Sequence, residues 1–465
     1  MKILIAINSD IYVRNYLRTK AFSRLFEKFD CEIIVNNSIS LRGEVEQHPA
    51  FRGLYSGNAR SDRWHQILFN VLMWRNRKKS QTFLYRWMRN SQWPLLSPGD
   101  SLLRRAALLL RWAVGAGRGP NGLLIPFLGS RLLSGITTRW LKRKIPINPT
   151  ISSFFTNVEY DLVIFPSAGY DSATIDLTRQ GRRSGTKTLC LIDNWDNLSS
   201  KTVFWIRPDF LGVWGEQSAS HAEIIQGFET EQVFTVGTPR FDVYFSPTAQ
   251  QASASHYPFP YVLFVGSAMP FDEEGALHEV ETALDQLPSR FQKFRVVYRP
   301  HPWRQGKSGQ PPFDSARYTR TLLDKQMASR ELSHSGKGVS EGFQPDLDYY
   351  PSLISHAELV VGPLTTMLLE GTLCKREVLG LAYPDGKNAH TSRRYFAHFD
   401  GMDACEGFDF CIQQNDLVPL VQEKITRDDP FTQRSVAAYP RFIHKPLNGY
   451  ANELLSIITT IVEER

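Results

Sequence analysis

Short runs of apolar and β-branched residues recur along most of this chain, and most spacers between them are long enough for a helix. Such runs are typical of strands buried on both faces, and helix-length spacers indicate parallel crossover connections. The runs form two series, ILIAI (3–7), CEIIV (31–35), DLVIF (161–165), TLCLI (188–192), FLGVW (210–214) and QVFTV (232–236), then YVLFVG (261–266), FRVVYRP (294–300), ELVVG (358–362) and EVLGL (377–381). The pattern predicts an α/β protein with two Rossmann-like domains.

The interruptions of this pattern predict the domain boundaries. We expect an N-terminal domain over 1–245 with a helical insertion at 54–150, a Ser/Ala/Pro-rich linker at 246–260, a C-terminal domain over 261–449 and a final helix at 450–465. With 465 residues and 42% hydrophobic content, the chain can bury two cores, which excludes disorder throughout.

Targeting and cysteine signals are weak. The N-terminal apolar run is too short for a signal peptide, and no stretch is long and apolar enough to span a membrane. The five cysteines are scattered without C-x-x-C spacing, so they indicate neither a disulfide framework nor a zinc site. We expect a cytoplasmic protein.

The charge is concentrated in one segment. Between Arg60 and Lys144 there are 17 Lys/Arg and two acids, 17 − 2 = +15, against +7 for the whole chain, and six of the ten tryptophans lie there. Arg104, Arg111 and Arg118 recur every seven residues beside an apolar pattern, as in an amphipathic helix. We expect this insertion to contact an anionic membrane surface, peripherally on the inner membrane face. Nucleic-acid binding through stacked tryptophans is the alternative from a different class, and helical apolar spacing of the tryptophans argues against it.

Ligands of parallel sheets bind beyond the carboxyl ends of the strands, so the residues directly after each run are the candidate ligand contacts. In the second series, Gly266-Ser267 could offer backbone N–H groups to a phosphate, and the prolines around His301 fix it beside Arg299. Thr365 and Thr366 begin a helix, and Glu370, one turn later, could accept ribose hydroxyls. These residues are the predicted donor nucleotide site.

In the first series, the polar segment after TLCLI contains Asp193, Asn194, Trp195, Asp196 and Lys201. Either carboxylate could act as general base on an acceptor hydroxyl. We expect Asn194, Trp195 and Lys201 to bind the acceptor, together with Arg14 and Asn15 from the polar loop after the first strand. The alternative is a polar turn of N-caps.

Two other acidic clusters invite interpretation. Asp272-Glu273-Glu274-Gly275 stands at a helix start, where acids are favoured by the helix dipole, so a structural role competes with Glu274 as base. Asp346-Leu347-Asp348 could suggest a metal site, but nothing nearby supports it. We expect no metal.

With these motifs in hand, the chain resembles bacterial GT-B glycosyltransferases over most of its length outside residues 54–150. The LTTMLLEG segment is similar to their donor motif, which implies Thr365, Thr366 and Glu370 as nucleotide contacts. RPHP resembles the His-Pro motif of sialyl- and Kdo-transferases, which implies His301 at the nucleotide and in catalysis. DEEG resembles the acidic motif of sialyltransferases, although it stands here in the other domain.

The NWDNLSSK and GTPRFD segments also resemble teichoic-acid glycerophosphotransferases, where the position of the acting histidine matches Asp196. The combined expectation is a GT-B glycosyltransferase with two domains facing a cleft. It would move a sugar from a nucleotide donor, CMP- or CDP-linked, to a glycan or lipid-linked acceptor of a surface polysaccharide or lipopolysaccharide, without other cofactors. A polyol-phosphate transferase and a sugar-nucleotide epimerase are the alternatives.

Overall fold

The computed structural model describes residues 1–94, 96, 99–245, 255–302, 313–328, 347–385, 395–427 and 441–463. The chain divides into two compact units, one formed by Met1–Arg240 with Pro440–Arg465 and the other by Phe241–Tyr439. Residues 440–449, which the sequence pattern assigned to the second domain, therefore belong to the first unit. Most of the predicted linker, 246–254, lies outside the described residues.

The first unit is built on a seven-stranded parallel sheet with the order β3-β2-β1-β4-β5-β6-β7. The strand order reverses between β1 and β4, which is where open parallel sheets bind ligands. The strands are β1 Lys2–Ile7, β2 Asp30–Asn36, β3 Phe51–Tyr55, β4 Leu162–Ser167, β5 Lys187–Ile192, β6 Phe210–Val213 and β7 Val233–Thr235.

Helices cover both faces of this sheet, as buried parallel strands require. They are Ser23–Lys28, Arg42–Glu46, Ser172–Ser184, Glu216–His221 and Tyr450–Glu463, with π-helical turns at Val13–Arg18, Asn197–Lys201 and Ala222–Gln226. The last helix returns from the far end of the chain and buries Tyr450, Leu454, Ile458 and Ile461 in the core on β1 and β2.

The second unit contains a six-stranded parallel sheet with the order β10-β9-β8-β11-β12-β13. Its strands are β8 Tyr261–Val265, β9 Arg295–Arg299, β10 Thr321–Leu323, β11 Leu359–Pro363, β12 Glu377–Leu381 and β13 Phe408–Cys411. The helices are Asp242–Phe245, Glu273–Asp285, Tyr349–Ser355, Thr366–Leu373 and Leu417–Thr426. Two Rossmann-like α/β units confirm the predicted fold class.

Between β3 and β4 the first unit carries the basic helical insertion. Its helices are Ala59–Arg75, Gln81–Asn90, Leu102–Val114, Leu124–Leu128, Ser134–Lys144 and Pro149–Ser152. They share a small core around Leu68, Val71 and Phe83. No helix in the described ranges is long and apolar enough to cross a bilayer.

Most tryptophans of the insertion pack against one another. The rings of Trp74 and Trp87 lie 4.6 Å apart, and those of Trp93 and Trp112 lie 4.7 Å apart, with Trp87 touching both of the latter. The rings of this cluster therefore pack within the insertion and do not form an exposed groove on which bases could stack. Trp140, 49% exposed, is the exception among the six.

Candidate functional site

The carboxyl edge of the first sheet brings the segments after β1, β4 and β5 together around Asp193. The backbone N–H of Asp193 donates to the Ser167 carbonyl at 3.1 Å, and the Asn15 side-chain amide donates to Asp193 Oδ1 at 3.0 Å. Asn15 and Lys201 stand on the two π-helical turns that flank the carboxyl. Such turns are frequent at functional sites because they re-aim side chains.

Asp193 is 8% exposed. Burial raises its pKa above the ordinary carboxyl range, while the Asn15 hydrogen bond and the positive charges of Arg240, Arg14 and Lys201 act in the opposite direction. The structure thus brings four predicted residues together and adds Arg240, which sequence reasoning missed. Its signal was the G-T-P-R segment directly after β7, at the same edge of the sheet.

Asp196 has a different environment. Its Oδ2 lies 2.8 Å from Lys201 Nζ, and its carbonyl accepts the Ser200 hydroxyl at the start of the π-helical turn. The ion pair holds Lys201 and the turn in place. The sequence left both carboxyls open as the base, and only the resemblance to glycerophosphotransferases indicated Asp196. Asp193 is the carboxyl that the fold buries among polar groups.

Two residues predicted to contact an acceptor have structural roles. Trp195 is 1% exposed and packs edge-on against Phe442 with ring centres 5.7 Å apart, because the segment 441–449 closes over it. A side chain in the core cannot bind an acceptor, so that prediction is corrected. The Asn194 side-chain oxygen accepts the backbone N–H of Trp195 at 3.0 Å, so it has a local structural contact.

A second polar cluster at this edge was missed. Asp171 accepts the Asn8 amide at 2.7 Å and caps the helix Ser172–Ser184 through the Thr174 backbone N–H at 2.8 Å. The Tyr12 hydroxyl accepts the Ala168 N–H at 2.9 Å. The D-S-A-T cap signature after β4 was the available signal. The cluster links the loops after β1 and β4 next to Asp193.

In the second unit, the loop after β8 is closed by an internal carboxylate. Glu273 Oε1 accepts the Ser267 backbone N–H at 3.0 Å, and Oε2 accepts the Tyr298 hydroxyl at 2.6 Å. A Cβ on Gly266 would stand 2.7 Å from Glu273 Oε2, so the loop needs glycine for this approach. The prediction that Gly266 and Ser267 receive a donor phosphate is corrected: Glu273 already occupies the Ser267 amide.

The rest of the DEEG segment is structural as well. Asp272 caps the helix Glu273–Asp285 by accepting the Gly275 N–H at 3.3 Å. Glu274 is exposed and forms an ion pair with Arg317. The segment is therefore a helix start, and the transferase base suggested by its resemblance does not lie in a buried site here.

Arg299 and Asp324 end the neighbouring strands β9 and β10. Arg299 is 6% exposed, donates to the Tyr350 hydroxyl at 3.1 Å and lies 4.8 Å from the centre of that ring. Asp324 accepts the Tyr349 hydroxyl at 2.5 Å, and burial raises its pKa while that bond and Arg299 lower it. Arg299 is thus firmly oriented, with half-buried His301 two residues later.

Thr365, Thr366 and Glu370 lie at the end of β11, the strand beside β8. Thr365 is the N-cap of the helix Thr366–Leu373 and is extended, with φ −139° and ψ 157°. Glu370 is buried and its Oε2 accepts the Tyr244 hydroxyl at 2.5 Å. The order β9-β8-β11 therefore brings Arg299, His301 and the two threonines to one edge, and Tyr244 is a partner of Glu370 that no sequence signal indicated.

Within the described ranges, no three His, Cys, Asp or Glu side chains stand close enough to share a metal ion. Asp346 of the D-L-D triplet lies outside those ranges, whereas Asp348 precedes the helix Tyr349–Ser355. The five cysteines are all buried free thiols.

No protein-family model matches the sequence, and comparison with curated proteins finds no relative. Solved structures do match. The UDP-GlcNAc 2-epimerase of Neisseria meningitidis bound to UDP-GlcNAc aligns with a TM-score of 0.50 and 10% identity over 100% of both chains. A Listeria monocytogenes protein described as a candidate UDP-N-acetylglucosamine 2-epimerase aligns at 0.51 and 10% identity, over 100% of this chain and 97% of its own.

At this identity the likeness shows a shared two-domain fold, and it supports the fold implied by the GT-B resemblance but not the sialyl-, Kdo- or teichoic-acid assignments. The predicted transfer of sugar to a polysaccharide acceptor is corrected on this comparison, because the Neisseria and Listeria structures are described as sugar-nucleotide epimerases. Of the functions weighed from the sequence, the epimerase alternative fits this comparison best.

Proposed function

We propose that this protein is a sugar-nucleotide epimerase. An epimerase inverts one carbon of a sugar. In UDP-GlcNAc no carbonyl adjoins C2, so as the base takes the C2 proton the electron pair forms a C1=C2 double bond and the C1–O bond breaks to release UDP. UDP then adds back to C1 and a proton returns to the opposite face of C2. This chemistry needs a group that accepts and donates protons, and it needs no second substrate. The fold shared with UDP-GlcNAc 2-epimerases supports the class.

The observation that carries the proposal is the environment of Asp193. Its carboxyl is buried at the carboxyl edge of the first sheet, is held by Asn15 and has a raised pKa. A carboxyl shifted toward neutrality can exchange a proton in both directions more readily than an exposed one. Three cationic side chains nearby, Arg14, Lys201 and Arg240, act on its charge and would also favour an anionic substrate.

The nucleotide would be held by the second unit. We assign the phosphates to His301 and the helix N-terminus at Thr365 and Thr366, with Arg299 nearby, because backbone N–H groups and cationic side chains favour anions. Glu370, oriented by Tyr244, would face the ribose. UDP-GlcNAc is the first substrate to test, since it is bound in the Neisseria structure. CMP- and CDP-sugars, expected from the sequence, are the comparison.

The test is proton NMR of UDP-GlcNAc with the purified protein. We expect signals of a second sugar nucleotide to grow at the expense of the first until both reach a constant ratio. The same tube without protein and the Asp193→Asn variant are the controls. If calorimetry detects nucleotide binding but neither UDP-, CMP- nor CDP-sugars are converted, the epimerase proposal is wrong.

No metal or organic cofactor enters this proposal. The expected contact with an anionic membrane surface is independent of it, because the residues concerned lie in the helical insertion and not at the edge of either sheet.

A further inference from the structure

The helical insertion exposes an unusual number of large apolar side chains. Ten of the sixteen exposed large hydrophobic residues found within the described ranges lie between Leu102 and Trp140. Single exposed apolar residues are ordinary on protein surfaces, but a concentration of them marks an interaction site. We call the exposed residues of 102–144 the insertion surface.

The helix Leu102–Val114 turns an apolar stripe outward. Leu103, Leu110 and Val114 are 84%, 67% and 53% exposed, and together with exposed Ala107 they follow one another at intervals of three or four residues. Such spacing places side chains on one face of a helix. Trp112 faces inward instead, with its indole N–H donating to the Ser91 carbonyl at 2.6 Å.

The following two helices continue this pattern. Phe127 of the helix Leu124–Leu128 is 63% exposed, and Leu132 in the turn after it is 89% exposed. In the helix Ser134–Lys144, Ile136 and Trp140 stand one turn apart and are 69% and 49% exposed, while Leu141 points into the insertion core.

The same stretch is strongly basic. From Ser101 to Lys144 there are nine Lys/Arg and no Asp or Glu. Arg104 and Arg111 stand seven residues apart beside the stripe of the first helix, and both are exposed. Arg104 pairs with Asp100, just before the stretch, at 3.2 Å. Apolar stripes bordered by arginines are typical of helices that lie in a bilayer interface.

We propose that the insertion surface docks on anionic phospholipid, with the leucines and Phe127 in the headgroup region and the arginines on the lipid phosphates. An anionic bilayer offers an apolar layer in which the exposed leucines can be buried and negative phosphates that can pair with the arginines. A second copy of the chain fits poorly, because face-to-face contact would bring two strongly basic surfaces together. RNA phosphates could pair with the arginines, but the exposed leucines would stay in contact with water.

The first test removes the apolar stripe. Leu103→Ser/Leu110→Ser should lower partitioning onto vesicles of phosphatidylcholine and phosphatidylglycerol in equal amounts by about a hundredfold, on the order of tenfold for each leucine. Ile224→Ser/Leu447→Ser is the matched control, since these residues are 71% and 95% exposed elsewhere on the same unit. It should co-float like the parent.

The second test removes charge. Arg104→Gln/Arg111→Gln should weaken binding to these vesicles by about thirtyfold, roughly fivefold for each arginine, and added salt should reduce the difference. The exposed basic residues Lys28 and Arg183 give a control of equal charge, Lys28→Gln/Arg183→Gln, which should bind like the parent.

Three outcomes would overturn the proposal. One is that the parent binds vesicles of pure phosphatidylcholine as well as vesicles that contain phosphatidylglycerol, or that it binds neither kind. Another is parent-like flotation of both the stripe and the arginine variants. The third is a concentration-dependent dimer in ultracentrifugation that Leu103→Ser/Leu110→Ser abolishes while flotation persists, which would assign the surface to a second copy. Each variant's melting temperature, unchanged from the parent, shows that the fold is retained.

Discussion

Two buried carboxyls, one in each unit, show how differently the same fold can use an acid. Asp193 follows β5 in the first unit and is surrounded by an amide side chain and cationic groups. Glu273 begins the helix after β8 in the second unit and accepts the Ser267 backbone N–H and the Tyr298 hydroxyl. Both oxygens of Glu273 accept hydrogen bonds that hold its loop in place. Burial of Asp193 instead raises the pKa of its carboxyl. Burial alone therefore does not identify a catalytic acid. The hydrogen-bond partners and neighbouring charges of the carboxyl distinguish a structural role from a catalytic one.

The largest expected effect is the loss of turnover when the carboxyl of Asp193 is replaced. Asp193→Asn keeps the shape and the Asn15 contact but cannot take up a proton, so turnover of the sugar nucleotide should fall by about 10²–10⁴. Its melting temperature should stay close to that of the parent. Steady-state kinetics and thermal unfolding measure both. Asp196→Asn, in the ion pair with Lys201, is the neighbouring control and should lose far less turnover. The reverse ranking would move the base to Asp196.

The next effect should appear in stability instead of turnover. Glu273→Ala leaves two buried donors without acceptors, which should lower the free energy of unfolding of the second unit by about 2–4 kcal/mol. Glu274→Ala, one residue later, removes only an exposed ion pair and should change it by less than about 1 kcal/mol. Denaturant titration compares them. Similar losses from both variants would show that Glu273 is not the closing group of the loop.

A smaller effect tests the nucleotide edge of the second unit. His301→Ala should weaken UDP binding by about 10–150-fold, as expected for one lost hydrogen bond to a charged ligand group. The control is His278→Ala, because His278 stacks on Tyr318 at 4.7 Å and has no assigned role in binding. Calorimetric titration gives both affinities. Unchanged affinity in the His301 variant would place the phosphates elsewhere.

The smallest effect, taken per pH unit, concerns a third buried carboxyl, Asp176, which lies on a helix of the first unit. Burial raises its pKa to about 7, and burial lowers the pKa of His65, 4.0 Å away, to about 4. The folded pKa of Asp176 is above its unfolded value, so its contribution to stability is complete below about pH 4 and is lost as the pH rises toward 7.

Asp176→Asn should therefore gain stability relative to the parent between pH 4 and 7, by about 1.4 kcal/mol for each pH unit in this window. Thermal unfolding across this range measures the gain. The low-pH side of the kcat/KM profile should not move in this variant, because Asp176 is not among the groups that act on the charge of Asp193. A shift of that side would assign the essential proton to Asp176 instead of Asp193.

The strands that the sequence did not reveal are all at sheet edges. β3, β10 and β13 have exposed or half-exposed residues within them, so they lack the continuous apolar runs that identified the inner strands. Edge strands are solvated on one side, and their sequence is accordingly mixed. The other ten strands were predictable because their sequences are short, nearly continuous apolar runs.

The sequence predicted which of the candidate side chains lie at the sheet edges, but it did not predict their hydrogen-bond and packing partners. Strand ends indicated Asp193, Arg299 and Thr365, because parallel strands expose their carboxyl ends together. The contacts of Glu273 with Tyr298 and of Glu370 with Tyr244 join residues 25 and 126 positions apart, and no local pattern encodes such pairs. The burial of Trp195 was not predictable for the same reason, because its partner Phe442 lies far away in the sequence.

The most direct measurement of the central claim is solvent hydrogen exchange. With UDP-GlcNAc in D₂O, the parent protein should place deuterium on one carbon of the sugar while producing the epimer, as NMR and mass spectrometry would record. Asp193→Asn should slow both processes by the same factor, and Glu274→Ala should leave both unchanged. Epimer formation without deuterium, or exchange at the parent rate in Asp193→Asn, would contradict the assignment of Asp193 as the group that moves the proton.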